Sequence, residues 1–274
     1  MSELISIAIE NSIADVRLNR PDKRNAINGD MLEELRVTAA AIAKDTSVRV
    51  VVLSGEGGHF SAGIDTQYMF EMQSGDLNAD SDSVADTVAN VSTSGANEAQ
   101  QAAWAWQELP QPVIAAISGC AMGVGVDIAL AADFRVVHPA ARISMMQIKW
   151  GLLSDMSATQ TISRLVPLDI AKLLVLTGRE ISGEEAVAFG LGTLLHDEPV
   201  KHALELAAEL AGNNPEAVQR GKKLLNYVRT ASPKDGLRAE SEAMSTLLGT
   251  SNQVEAVMAR LEGRPAKFTQ EGAG

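Results

Sequence analysis

Apolar residues fall in two periods along this chain. Ile5 to Ile9 and Ile13 to Leu18 alternate apolar and polar positions around Glu10, Asn11 and Ser12, which predicts a hairpin. The set Met31, Leu32, Leu35, Ala39 and Ile42 repeats at helical spacing, with Asp30 and Glu33 resembling a capping box. Val50 to Leu53, within the strand Val48 to Leu53, and Pro112 to Ile117 are continuous apolar runs, as in strands covered on both faces. Gln67 to Met72 and Gln100 to Leu109 read as helical, with Trp104 and Trp106 as packing groups. Between them, Gln73 to Ala99 is polar and without period, which predicts a lid or surface loop.

Further on, Phe134 to Val137 is a short strand, Arg142 to Lys149 mixes short strands with a turn, and Gly151 to Asp155 is a loop. Met156 to Leu165 and Leu168 to Thr177 read as helices separated by Pro167, with Asp155 placed to cap the first of them. Ser182 to Phe189 is a capped helix, and Gly192 to Leu195 a short strand. From Pro199 onward the pattern is helical, with Asn214-Pro215 and Ser232-Pro233 as helix starts. The expected organisation is an α/β core over residues 1–197 and a helical region over 198–274.

Within this frame one stretch stands out. The run from Ser118 to Leu130 (SGCAMGVGVDIAL) follows a buried strand and leads into an apolar stretch, Asp127 to Ala132, that reads as a helix. Gly119, Gly123 and Gly125 let the backbone turn sharply and approach a ligand closely. A second turn, His59 to Asp65 (HFSAGID), follows another apolar strand. Peptide N–H groups from two such strand ends can converge on one carbonyl oxygen, the architecture of a two-segment oxyanion hole. His59 reads as a loop contact, and Met145, Met146 and Met156 as pliable lining or core. No dinucleotide fingerprint or phosphate loop is present.

Composition narrows the partners. The chain has 274 residues and a net charge of -12, which argues against nucleic acid or an anionic membrane as a partner. A phosphate-bearing small ligand is still accommodated, because Lys23 and Arg24 sit in the polar loop Asn19 to Asn28. No apolar run reaches membrane-spanning length. Cys120 is the single cysteine, so no internal disulfide forms. With no basic, apolar leader at the start, the expected location is cytoplasmic.

LNRPDKRNAIN, HFSAGID, PVIAAISGCAMGVGVDIALAADFRV, GLLSD with TQ and RL after it, and RPAKF occur in this order from Ile5 to Phe268. Together they resemble the enoyl-CoA hydratase/isomerase (crotonase) superfamily. The resemblance implies a ββα spiral core with a helical C-terminal trimerisation region, assembled as a homotrimer or a dimer of trimers. It implies an acyl-CoA thioester as ligand, with coenzyme A as part of the substrate and neither a separate cofactor nor a metal. The oxyanion donors would be the N–H groups of Ile64 and Val124, where valine replaces the middle one of the family's three glycines. Each such donor is worth roughly 3–4 kcal/mol. Coenzyme A contacts carry over to Arg24, Ala26, Ala62, Ile64, Asp65 and Gly123, with Lys267 and Phe268 meeting the nucleotide end of a ligand on a neighbouring subunit.

The catalytic positions depart from the hydratase pattern. Where family hydratases have two glutamates, this chain has Asp127 and Gln147. An amide cannot exchange protons near neutral pH. Dienoyl-CoA isomerases of the family have an aspartate matching Asp127 and an acid at Asp155, although they also have one at the Gln147 position. The resemblance therefore implies double-bond isomerisation or atypical hydration, with Asp127 and Asp155 moving protons and Gln147 as a neutral orienting group. Two alternatives stand beside it: dehalogenase- or hydrolase-like chemistry with Asp155 as nucleophile, and a non-catalytic protein that binds CoA thioesters.

Overall fold

A computed structural model describes residues 4–74, 92 and 94–269. The polar segment expected as a lid lies mostly outside them. Strands β1 (Ile5–Glu10) and β2 (Ile13–Leu18) form the expected hairpin. β2 then pairs in parallel with β3 (Val50–Gly55), which continues through β4 (Val113–Ile117) and β6 (Phe134–Val137) to β9 (Leu194–Leu195). A smaller sheet joins β5 (Cys120–Met122), β7 (Arg142–Ser144) and β8 (Ile181–Ser182).

The continuous apolar runs are explained by burial on both faces. Val51, Leu53, Val113, Ala115 and Ile117 point into the main core with helices α1 (Gly29–Lys44), α3 (Glu98–Glu108) and α4 (Val124–Ala131). Their neighbours Val50, Val52, Ile114 and Ala116 face the other way, against helix α8 (Pro199–Ala211). Ala203, Ala207 and Ala211 recur every fourth residue of α8, so a flat stripe of small side chains lies on the sheet. Trp106 is fully buried and its indole N–H donates to the Ala102 carbonyl, as a packing residue needs.

Helix α2 (Thr66–Ser74) follows the His59 to Asp65 turn. Beyond β7 come α5 (Ala158–Leu165), α6 (Leu168–Thr177) and α7 (Gly183–Phe189), the last opened by a Ser182–Glu185 capping box. The C-terminal helices are α9 (Pro215–Val228), α10 (Pro233–Leu247) and α11 (Ser251–Glu262). They are tied to the α/β part by a buried ion pair, Lys222 Nζ to Asp133 Oδ2 at 2.7 Å, with Lys222 also donating to the Gln111 carbonyl.

Three local expectations are corrected. Helix α1 is capped by Asn28, whose side chain accepts from the Met31 N–H, so Asp30 lies inside the first turn and is not the cap. Helix α4 begins at Val124, which puts Asp127 in its first turn. Helix α5 begins at Ala158, behind Ser157 at φ 64°, and Asp155 does not cap it. Ser157, buried and left-handed, takes the N-cap position two residues after the aspartate.

Candidate active site

The two predicted turns meet at the C-terminal ends of β3 and β4, where open parallel sheets place their ligand crevice. Ser61 bridges to Ala121, and Ile27 bridges to Ile64. The polar loop after β2 is fastened to the same place. Asn25 is fully buried, and its amide donates to the carbonyls of Glu56 and His59 at 2.9 and 2.8 Å. Arg20 donates to the Ala26 carbonyl and pairs with Asp65 at 2.9 Å. That pairing and the Gln67 N–H hold the Asp65 carboxyl below the usual carboxylate range, against the opposing effect of burial. Asp65 opens helix α2, its side chain accepting from the Gln67 N–H and its backbone carbonyl from the Met69 N–H.

Peptide planes set the direction of the two candidate donors. The carbonyl and N–H of a trans peptide point opposite ways. The Gly63 carbonyl accepts from the Ile27 N–H at 2.8 Å, so the Ile64 N–H points away from Ile27. The Gly123 carbonyl accepts from the N–H groups of Val126 and Asp127 at 2.9 and 3.2 Å, so the Val124 N–H projects from the start of α4. Among the described residues neither N–H has a protein acceptor. Gly63, at φ 91°, lies against the Met122 carbonyl, and a Cβ there would stand 2.7 Å from its oxygen. Only glycine fits this crossing of the two turns.

Beside these donors are the three predicted side chains. Asp127 is 1% exposed, and its Oδ2 accepts a 2.9 Å hydrogen bond from Gln147 Nε2. Burial pushes the Asp127 carboxyl well above the usual carboxylate range; the Gln147 donor pulls it back and the charge of Asp155 raises it further. Asp127 Oδ1 and Gln147 Oε1 are buried with no partner among the described residues. Asp155 is exposed, and its backbone carbonyl accepts from the Gln100 side chain of α3 at 3.2 Å. One buried carboxyl, one neutral amide and one exposed carboxyl therefore share the site.

The other predicted contacts divide. Arg24, Ala26, Ala62, Ile64, Asp65 and Gly123 all lie on the loop and turns described, with the Ala62 N–H donating to the Arg24 carbonyl. Lys267 and Phe268 are elsewhere in their own chain. The Lys267 N–H donates to Glu255, and the Phe268 carbonyl accepts from Arg49, just before β3 and at the end of the sheet opposite the site. The His59 ring rests against Gly119 as a loop contact. Arg20, Asn25, Ser61 and Gln100 were missed in the sequence; only Arg20, one of three cations in a ten-residue loop, carried any signal. Among the described residues no cluster of three His, Cys, Asp or Glu side chains suits a metal ion, and no helix is long and apolar enough to cross a membrane.

Comparison with known proteins identifies the family. A family model described as enoyl-CoA hydratase/isomerase matches residues 8–271. The chain is 31% identical over 271 residues to 2,3-dehydroadipyl-CoA hydratase of Escherichia coli K12, covering 98% of this chain and 99% of that protein. It is 31% identical over 259 residues to the mitochondrial Delta(3,5)-Delta(2,4)-dienoyl-CoA isomerase of Rattus norvegicus, covering 93% of this chain and 78% of that one. The crystal structure of enoyl-CoA hydratase from Bacillus anthracis superposes with a TM-score of 0.85 at 29% identity, covering 98% of this chain and all of that one.

Proposed function

This chain belongs to the enoyl-CoA hydratase/isomerase family, and from that premise we propose that it shifts a double bond along the acyl chain of an enoyl- or dienoyl-CoA. It is an acyl-CoA enzyme of the lyase or isomerase type. In the proposed reaction the thioester carbonyl accepts hydrogen bonds from the N–H groups of Ile64 and Val124. Negative charge that builds on that oxygen when a proton leaves the acyl chain is stabilised there. Asp155 takes that proton, and Asp127 delivers one to a carbon further along. The two carboxyls then exchange a proton through solvent, so no resident cofactor or net redox change is needed.

The contrast between the two carboxyls carries this reading. Asp127 is buried, has one neutral donor and is pushed toward its protonated form, so it suits the acid. Asp155 stands in water and suits the base. Gln147 fixes the orientation of Asp127 without titrating. A second reading, hydration, is favoured by the two buried unpartnered oxygens, Asp127 Oδ1 and Gln147 Oε1, each of which can accept a hydrogen bond from water.

An ultraviolet assay with a conjugated enoyl-CoA and an unconjugated dienoyl-CoA tests both, with Asp155→Asn beside the unaltered protein. Isomerisation that Asp155→Asn abolishes supports the two-aspartate reaction. Efficient hydration that survives the substitution overturns it in favour of water addition. Binding of both thioesters without turnover overturns catalysis on these acyl groups.

We further propose assembly as a homotrimer or dimer of trimers. Leu225, Leu237, Leu248 and Leu261 on the C-terminal helices are exposed in the single chain, a costly surface unless copies cover it. Lys267 and Phe268, remote from their own site, would serve a neighbour's. Sedimentation equilibrium tests the assembly; a monomer at micromolar concentration would rule it out.

A further inference from the structure

We infer that Ser61 is a positioning residue, whose hydroxyl holds in mutual register the turns that carry the Ile64 and Val124 N–H groups. This rests on the oxyanion reading above. Ser61 is fully buried. Its Oγ donates to the Asn25 carbonyl at 2.8 Å and accepts from the Gly63 N–H at 3.1 Å. Its backbone pairs with the other turn, the Ser61 N–H donating to the Cys120 carbonyl at 2.9 Å and the Ser61 carbonyl accepting from the Met122 N–H at 3.0 Å. Gly125 packs directly on its side chain, and a Cβ on Gly125 would stand 2.6 Å from the Ser61 Cβ. Three segments distant in sequence, at Asn25, Gly63 and Gly125, thus touch one small side chain.

The consequence follows from the chain of peptides. Gly63 N–H is fixed by Ser61 Oγ, and Gly63 carbonyl is fixed by the Ile27 N–H. Both ends of Gly63 are therefore tied, and with them the plane of the peptide that presents the Ile64 N–H. Removing the hydroxyl frees the first tie and leaves two buried backbone groups, the Gly63 N–H and the Asn25 carbonyl, without that partner. The turn can regain a bond only by rotating, and rotation re-aims the Ile64 N–H. A residue that merely filled space would be replaced by alanine at little cost to the donor geometry.

Ser61→Ala, with Ser61→Cys as the conservative variant under reductant, is titrated with 2,4-hexadienoyl-CoA and assayed for turnover. Donors on the thioester oxygen draw electron density along the conjugated chain, so the ligand's absorbance moves to longer wavelength on binding the unaltered protein. Ser61→Ala is expected to keep its dissociation constant and KM within about threefold, to lose most of the spectral shift, and to lose kcat by roughly 10–100-fold. Ser61→Cys, with a weaker donor and acceptor, is expected in between. A full shift and full kcat in Ser61→Ala would overturn the inference alone. Absence of any shift in the unaltered protein would overturn the oxyanion reading and this inference with it. Should Ser61→Ala fail to fold, the cysteine variant carries the test, and an undiminished shift there overturns the inference.

Discussion

Gln147 Nε2 donates to Asp127 Oδ2 at 2.9 Å, joining the helix that starts at Val124 to the turn after β7 through a single neutral hydrogen bond. Among the described residues no cation offsets the burial of the carboxyl. The chain therefore carries, in the first turn of that helix, a carboxyl that costs stability when ionised.

Asp127→Asn is expected to lower kcat by at least about 100-fold, since the amide cannot donate an acidic proton. It should also stabilise the fold, in a pH-dependent way. An aspartate in the unfolded chain titrates near pH ~3.9, whereas the folded Asp127 holds its proton to higher pH. The native state then binds the extra proton, so the unaltered protein loses stability as pH rises above about 4 toward the folded value. Thermal melts should show the variant level with the unaltered protein near pH 4 and more stable at pH 7.5. A variant less stable at pH 7.5 would contradict this account.

Lys222 and Asp133 make a second prediction. Burial drives both toward their neutral forms, while their mutual attraction and the Val113 N–H on Asp133 Oδ2 oppose that. Lys222→Met leaves a buried carboxyl without its partner and should cost about 3–5 kcal/mol in urea unfolding. Adding Asp133→Asn should restore most of the loss, since its side-chain oxygen can still accept from Val113. Equal losses in the single and double variants would show that the lysine acts through packing alone.

The fold was legible because its apolar runs are long and carry both faces of a parallel sheet, as at Val50 to Leu53. The two glycine turns were legible because strand, glycine and helix signals coincide there. Less legible were the residues that hold the turns together. Ser61 and Asn25 are small polar residues of the kind found in any loop, and their importance lies in contacts between segments tens of residues apart. The Asp155 cap failed for a similar reason. Helix α5 starts two residues late because Ser157 takes a left-handed conformation, which no local propensity announces.

Arg20 supplies the third prediction. Its guanidinium holds the Ala26 carbonyl and the Asp65 carboxylate together, which fixes the polar loop to the turn bearing Ile64. Lysine offers one point charge where two separated acceptors need a planar fork. Arg20→Lys should therefore lower kcat/KM by about 10–100-fold through misplacement of the turn, without full rescue of the alanine variant. Steady-state kinetics of both variants decides it; an Arg20→Lys enzyme at full activity would mean that charge alone suffices.

Gln147→Glu tests how far one atom sets the reaction. The substitution puts a second carboxyl within hydrogen-bond distance of Asp127, with little change in volume. Two buried carboxyls so close cannot both ionise, so the pair shares one proton and presents an acid and a base side by side. That is the arrangement the resemblance assigns to hydratases, and Asp127 Oδ1 is already buried with no partner among the described residues. Hydration of a conjugated enoyl-CoA is expected to rise at least about tenfold over the unaltered protein, a modest share of a full general base's contribution. The rate should depend on pH as a coupled pair does, and the fold should lose stability as rising pH removes the shared proton. Unchanged hydration in a folded Gln147→Glu variant would mean that the water position is set elsewhere, and that the amide is not what turns this site away from water addition.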